Sequence, residues 1–369
     1  MTLHLLALPH TRVSSDFCGC AYTAKVLKFC RMMEGLVDVV LYAPEGAEAP
    51  TFETVEVISD AERVGIFGVD DPNRLPAWPT NAQAGLFNAR AAPELMRRYE
   101  TGDLVLLTAG LTQAPIRELL PDATYCEPGV GYEGIATEFC AFESYAWRHH
   151  VYAKRGVNGR WFDTVIPNYF DPSEFHLAEK ADDPYLLFVG RLIANKGPTV
   201  ALELATAAGL PLVVAGAGAT QVSEGLIVAD DVRLEGDVRY VGPVGVEDRA
   251  ELMAGATALL APTYYVEPFG GVAVEAMLSG TPAITSDWGA FVETVEEGVT
   301  GFRFATLADG VQAVALAAQL EPADVRARAL ERFSLEAVAP EFLSWFERLA
   351  LLRGRGWYEM TAPDAIMRP

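Results

Sequence analysis

Short, wholly apolar runs alternate with longer stretches of helical spacing from the first residues almost to the last. This constrains the chain more than anything else in it. A run this short and this uniformly apolar is buried on both faces, so it reads as a strand of a parallel sheet with helices packed above and below. The first half predicts strands at residues 3–8, 37–42, 54–58, 104–108 and 124–126, with helices at 22–33, 81–100 and 137–152. The second half repeats the pattern, with strands at 185–189, 211–215, 238–241, 258–261 and 283–285, and helices at 197–208, 246–254, 271–279 and 307–320. Both halves are therefore expected to be doubly wound α/β domains. The best junction is Val165-Ile-Pro-Asn-Tyr-Phe-Asp-Pro172, two prolines around a polar turn. It gives a first domain at 1–172 and a second at 173–345. A tail at 346–369, continuing a helical stretch that starts near Ser334, either closes the second domain or reaches back to the first.

Length fits this division, since 369 residues exceed one ordinary compact domain. Fifty acidic against 28 basic residues give a net charge of -22. Such a field repels polyanions at long range and argues against non-specific nucleic-acid binding, though not against a local basic pocket. The five cysteines, Cys18, Cys20, Cys30, Cys126 and Cys140, are odd in number and contain no C-x-x-C pair, so reduced thiols and a cytoplasmic location are expected. Cys18-Gly-Cys20 reads as a tight loop rather than a redox or metal pair. The N-terminus has no basic leader and runs straight into a strand pattern, and no apolar run approaches the ~20 residues of a membrane-spanning helix.

In open doubly wound sheets, ligands sit beyond the carboxyl ends of the strands. The loop after the strand at 258–261 reads Pro262-Thr-Tyr-Tyr-Val-Glu267-Pro-Phe-Gly270-Gly271-Val-Ala-Val-Glu275. Glu267 ends a loop, Gly270-Gly271 opens a helix, and Glu275 projects from the second turn of that helix. Unpaired N–H groups and the helix dipole favour a phosphate at such a start. The helical separation of the two carboxylates is at most ~12 Å, the scale of a nucleotide linked to a sugar. Glutamates eight apart are common on amphipathic helices. The Pro-Phe-Gly-Gly between them and the strand before them are not.

This segment resembles the E-x7-E motif of glycosyltransferase family 4, the large retaining family with two Rossmann-like domains (GT-B). Further motifs are similar to the family's: Gly190-Arg191…Lys196-Gly197 after the strand at 185–189, the Ile166-Pro-Asn168 segment, Arg239-Tyr-Val241-Gly242-Pro, and Gly280-Thr-Pro with Glu296-Glu-Gly-Val-Thr-Gly301. The resemblance covers about 166–302 well. It implies an α/β GT-B fold, two doubly wound domains facing a central cleft, the first binding acceptor and the second a UDP- or GDP-sugar. On the donor side it gives Arg191 and Lys196 to the leaving diphosphate and Glu267 to sugar hydroxyls, helped by the backbone of Phe269 and Gly270. Gly271 and Val272 fall under the diphosphate, and Glu275 at the ribose. Gly190, Val241, Gly242 and, in the first domain, Gly19 line the donor. No metal and no cofactor are expected, since Arg, Lys and a helix start supply the charge relief. On the acceptor side Glu127 stands near where the family often carries a histidine, with Tyr132 and His10 as further candidates. The acceptor itself is open between a saccharide or small metabolite, a lipid, a protein and a modified DNA base.

Two other classes compete. A two-domain dinucleotide-dependent oxidoreductase would carry a glycine fingerprint in the first βα turn, where this chain has Pro9-His10-Thr-Arg-Val-Ser-Ser-Asp-Phe-Cys-Gly19. Gly129-Val-Gly131-Tyr-Glu-Gly134 spells the fingerprint in mid-domain and is read as accidental, or as a loop facing the cleft. A catalytically inactive nucleotide-sugar-binding relative is the other. His149-His150 are neighbours on a helical pattern and point in different directions, which argues against a metal pair. Gly216-Ala-Gly218 after a strand reads as a tight turn beside the donor site.

Overall fold

The computed structural model describes residues 1–17, 19–68, 77–177 and 181–354. Contacts divide the chain into two compact units. The first takes Met1–Phe142, Tyr152–Ile166 and the chain from Val338 on, and the second takes Glu143–Val151 and Pro167–Ala337.

The first unit carries strands β1 (Leu3–Leu6), β2 (Val39–Pro44), β3 (Glu53–Ile58), β4 (Leu104–Leu107), β5 (Thr124–Val130), β6 (Phe139–Phe142) and β7 (Thr164–Val165). They form one parallel sheet in the order β3-β2-β1-β4-β5-β6-β7. Helices α1 (Ala21–Met33), α2 (Asp60–Phe67), α3 (Asn81–Arg98) and α4 (Ile116–Leu119) are its crossovers, and α5 (Tyr145–Arg155) passes from the second unit into the first. Helix starts are set locally: Ser59 with Glu62 and Thr80 with Gln83 form reciprocal capping boxes at α2 and α3.

In the second unit β8 (Leu186–Val189) and β9 (Leu212–Ala215) are followed by a small antiparallel sheet of β10 (Gln221–Ser223), β11 (Leu226–Ala229) and β12 (Val232–Glu235). Then come β13 (Val238–Gly242), β14 (Ala258–Ala261), β15 (Ala283–Ser286) and β16 (Gly301–Phe304). The main sheet is parallel, in the order β13-β9-β8-β14-β15-β16. Its helices are α6 (Pro198–Ala208), α7 (Val246–Gly255), α8 (Gly271–Leu278), α9 (Phe291–Thr294), α10 (Leu307–Ala317) and α11 (Pro322–Phe333); α12 (Leu335–Gly354) then carries the chain back into the first unit. Alternate strand residues feed separate cores, as a two-faced sheet requires. Leu187, Val213, Leu259 and Ala283 pack with Val274 and Met277 of α8 and Val325 of α11. Leu186, Val214, Leu260 and Ile284 pack with Leu204 of α6 and Val314 of α10.

Three expectations change. The helix expected at 137–152 is two elements, β6 and α5. Phe139-Cys-Ala-Phe142 is a short apolar run that periodicity alone cannot assign. It pairs with β5 and β7, and the Cys140 N–H donates to the Asp163 carboxylate. The units are not the continuous blocks 1–172 and 173–345: the chain crosses after Phe142, Val151, Ile166 and Ala337. The Ile166 N–H still bonds Phe142 O in the first unit, whereas Phe170 exchanges backbone bonds with Phe333 and Leu335 in the second. Nor does the tail begin at 346, because α12 runs unbroken from Leu335. Phe342 and Phe346 pack edge-on against Phe29 of α1, and the Trp345 indole donates to Phe162 O. Residues 355–369 of the tail, and Cys18, lie outside the described residues.

Candidate functional site

In both units the strand order reverses beside the first strand, between β1 and β4 and between β8 and β14. Ligands of such sheets bind at this reversal, past the carboxyl ends. In the second unit the loop leaving β8 carries Arg191 and Lys196 and the loop leaving β14 carries Glu267, so groups distant in sequence issue from the two strands that flank the reversal.

Glycines let these loops close on one another. A Cβ on Gly197, whose φ is +74°, would lie 2.0 Å from Pro262 O, and the Tyr264 N–H donates to Asn195 O at 2.8 Å. Lys196 is thereby brought to Glu267, with Nζ 2.9 Å from one carboxylate oxygen and 3.2 Å from the other. The ammonium also donates to the Tyr265 hydroxyl and lies 4.8 Å from that ring's centroid, off its hydroxyl end. Glu267 is largely buried and its backbone is clamped: Ala290 N–H donates to its carbonyl, and Gly289 passes so close that a Cβ there would be 2.8 Å from Glu267 N. The Ser144 hydroxyl holds the next carbonyl, Pro268 O, at 2.7 Å. Arg191 is exposed beside Tyr265 and makes no ion pair among the described residues.

Beyond Glu267, Phe269 is a core residue between Phe170 and Phe333, so only its backbone is available to a ligand. Gly270 takes φ +78° against the Phe291 ring and starts α8, leaving the N–H groups of Gly271 and Val272 without helical acceptors. Glu275, in the second turn, is gripped by Arg249 of α7 through two contacts of 3.0 and 3.3 Å. On the other side of Arg191, Gly216 N–H donates to Gly242 O at 2.8 Å, and a Cβ on Gly216 would lie 1.9 Å from Gly190 O. Gly190, Gly216, Val241 and Gly242 thus form a close-packed backbone shelf across β8, β9 and β13. The second unit places two cations, a helix start and two carboxylates on the segments that follow the carboxyl ends of β8 and β14. That set can hold a doubly charged diphosphate between hydroxyl-bearing groups.

The first-unit candidates fare differently. Glu127 does not stand in an open loop. It is inside β5, fully buried, and accepts from Tyr132 Oη at 2.6 Å and from the Ala136 and Thr137 N–H groups at 2.6 and 2.7 Å. Burial raises its pKa, against the pull of those three donors. Glu127 and Tyr132 are a latch folding the 132–137 segment over the strand end, with their hydrogen-bonding capacity turned inward. His10 is also buried, its Nε2 3.4 Å from Cys20 Sγ and its Nδ1 unpaired. Burial, then the Arg63 charge, depresses its pKa to about 4. Gly19 lies in an exposed turn before α1. Gly129-Val-Gly131 closes β5, and the next regular element is β6, so the fingerprint spelled there opens no helix. A concavity of about 900 Å³ in this unit, bordered by Arg117, Glu118 and Glu138, lies toward the amino ends of β5 and β6. It holds none of the candidate residues.

Sequence reasoning missed Tyr265, Arg249, Ser144 and Glu293. Tyr265 was in view two residues before Glu267. Ser144 and Glu293 carry no such signal: Ser144 reaches Pro268 across 124 residues, and Glu293 caps the Tyr145 and Ala146 N–H groups at 2.8 Å from a similar separation.

Known proteins resemble this chain in sequence over part of its length and in fold over most of it. Residues 170–328 fit the family model described as glycosyl transferases group 1. A D-inositol 3-phosphate glycosyltransferase of Mycobacterium tuberculosis is 32% identical over 165 residues, 41% of this chain and 34% of that protein. The match thus spans about a third of the length of the curated relatives. Among solved structures, AviGT4, a glycosyltransferase of avilamycin A biosynthesis, superposes with a TM-score of 0.66 at 21% identity, over 95% of this chain and 98% of that one. HepE of Anabaena, solved with UDP-glucose, gives 0.60 at 16% identity, over 93% and 99%. The fold is of the GT-B type. No helix among the described residues is long and apolar enough to cross a membrane.

Proposed function

We propose that this protein is a retaining glycosyltransferase that moves a hexose-type sugar from a nucleotide-sugar, UDP- or GDP-linked, to a hydroxyl acceptor. The observation that carries this reading is the convergence of Lys196, Glu267 and the start of α8 at the strand reversal of the second unit. The family-model match over the same residues and the UDP-glucose bound to a protein of the same fold support it.

In this scheme Lys196 and Arg191 meet the diphosphate, where negative charge grows as the glycosidic bond breaks, and the Gly271 and Val272 N–H groups meet it from the helix start. Groups fixed in advance at the site of developing charge stabilise a transition state most. Glu267 accepts from sugar hydroxyls and Glu275, oriented by Arg249, from the ribose. No metal enters. Retention follows the family's front-face pattern, with the departing phosphate helping to deprotonate the acceptor. Acceptor binding is assigned to the first unit, with a saccharide or small metabolite as the default class.

The test is incubation with radiolabelled nucleotide-sugars, following hydrolysis and transfer in the wild type, Lys196→Ala and Glu267→Ala. Both variants are expected to lose activity by about a hundredfold or more, as for loss of one charge-stabilising group, while keeping the wild-type fold by circular dichroism. Full activity in either would sink the donor-site assignment. A protein that is thermally stabilised by a nucleotide-sugar but neither hydrolyses nor transfers it would instead be an inactive relative.

A further inference from the structure

Tyr265 reaches the donor site from the loop between β14 and α8, and no role in donor binding has been given to it. Its oxygen accepts from the Lys196 ammonium, which lies at the hydroxyl end of the ring, 4.8 Å from its centroid. Burial first, then the Glu267 charge, hold the phenol above its usual range, with Arg191 opposing, so the hydroxyl stays neutral and accepts from the ammonium.

We propose that Tyr265 is a positioning residue: by accepting from Lys196 it keeps the ammonium at the diphosphate subsite when the Glu267 carboxylate turns to the sugar. The proposal rests on the donor-site reading above. Its physical basis is a conflict within the pair. Lys196 and Glu267 side chains are 23% and 11% exposed, and at 2.9 Å they satisfy one another. A donor needs them apart in function, the ammonium on phosphate oxygens and the carboxylate on hydroxyls. Lysine is a point charge on a flexible stem and follows the strongest local field. With no third partner that field is Glu267, and every donor molecule has to break the pair. The tyrosine gives the ammonium one partner that stays when the ligand arrives, a hydroxyl lone pair. Tyrosine to phenylalanine keeps the ring and removes that partner, and leucine removes the ring as well.

The experiment is calorimetric titration of the full chain with the tightest-binding member of a panel of UDP-, GDP-, ADP- and TDP-hexoses, and with the matching free nucleoside diphosphate and monophosphate. Tyr265→Phe is expected to weaken the sugar nucleotide and the diphosphate alike, about tenfold, the worth of one hydrogen bond to a charged group. Tyr265→Leu is expected to weaken both by a similar factor, because it removes the same hydroxyl. The monophosphate, lacking the phosphate that Lys196 meets, is expected to bind every variant as it binds the wild type. Its unchanged affinity also certifies that each variant is folded. In a double-mutant cycle Tyr265→Phe is expected to add nothing to Lys196→Ala, because the tyrosine acts through the lysine. Wild-type affinity in Tyr265→Phe beside a weakened Lys196→Ala overturns the positioning role and leaves the donor site standing, as does an additive double mutant. Undiminished diphosphate affinity in Lys196→Ala, or no binding of any panel member by the wild type, overturns the donor-site reading and this proposal together.

Discussion

His10 and Glu127 show how burial redirects residues that a sequence offers as reactive. An imidazole in the loop after the first strand looks available, yet only 3% of His10 is exposed, and its pKa falls from 6.5 to about 4, first through burial and then through Arg63. Between those two values the unfolded chain takes up a proton that the folded protein refuses. Stability therefore rises with pH across that window and is lost as the pH drops from about 6.5 toward 4, by up to about 3 kcal/mol. His4, lowered mainly by burial, adds to the same slope, while Glu127, raised by burial, opposes it. Urea titrations at several pH values on wild type and His10→Gln isolate the histidine: the variant is expected to show a clearly shallower loss. Identical slopes would mean that His10 takes up its proton in the folded protein at the ordinary pH.

At the scale of elements, the proposed donor side is built from strand ends and one helix start, and its geometry depends on where side chains are missing. Gly270 is the clearest case. It holds φ +78°, which side-chain-bearing residues seldom adopt, and a Cβ would come within 2.3 Å of Phe291, itself fully buried in the core. Gly270→Ala has to strain the backbone or push the ring, at a cost of about 1–3 kcal/mol. Either response moves the first turn of α8, so a lower melting temperature is expected together with the loss of stabilisation by added nucleotide-sugar. A lowered melting temperature with donor-induced stabilisation intact would show that the α8 start is not the phosphate subsite.

Across the whole molecule, the connection between units is a matter of chain routing rather than one linker. The chain crosses four times, after Phe142, Val151, Ile166 and Ala337, and the last crossing hands the first unit its closing helix. Phe342, Trp345 and Phe346 of α12 are almost wholly buried, the two phenylalanines against Phe29. Phe342→Ala is expected to cost about 3–5 kcal/mol, as for a large core aromatic. The loss should be read in the unfolding transition of the first unit by calorimetry. A midpoint that does not move would place α12 outside that core. The net charge of -22 belongs to this scale too, and it repels polyanionic partners at long range without touching the local cations Arg191 and Lys196.

Most of the parallel strands of both halves, most of the helices between them and the loop from Glu267 to Glu275 were legible in order because each is a local signal. A buried parallel strand is a short apolar run, and a phosphate-binding helix start needs its glycines adjacent in sequence. The short strands β6, β7, β10–β12 and β16 were not read, since short segments take their identity from the partners they pair with, and neither were the helices α2, α4, α9 and α11. The same holds for function. Local spacing sets which residue types stand at the strand ends. Folding alone brings Tyr265 to Lys196, Arg249 to Glu275 and Ser144 to the Pro268 carbonyl, and turns Glu127 inward. A buried hydrogen-bonding group is committed by whatever happens to lie within ~3 Å of it, and that distance is fixed by packing between segments that no spacing along the chain relates.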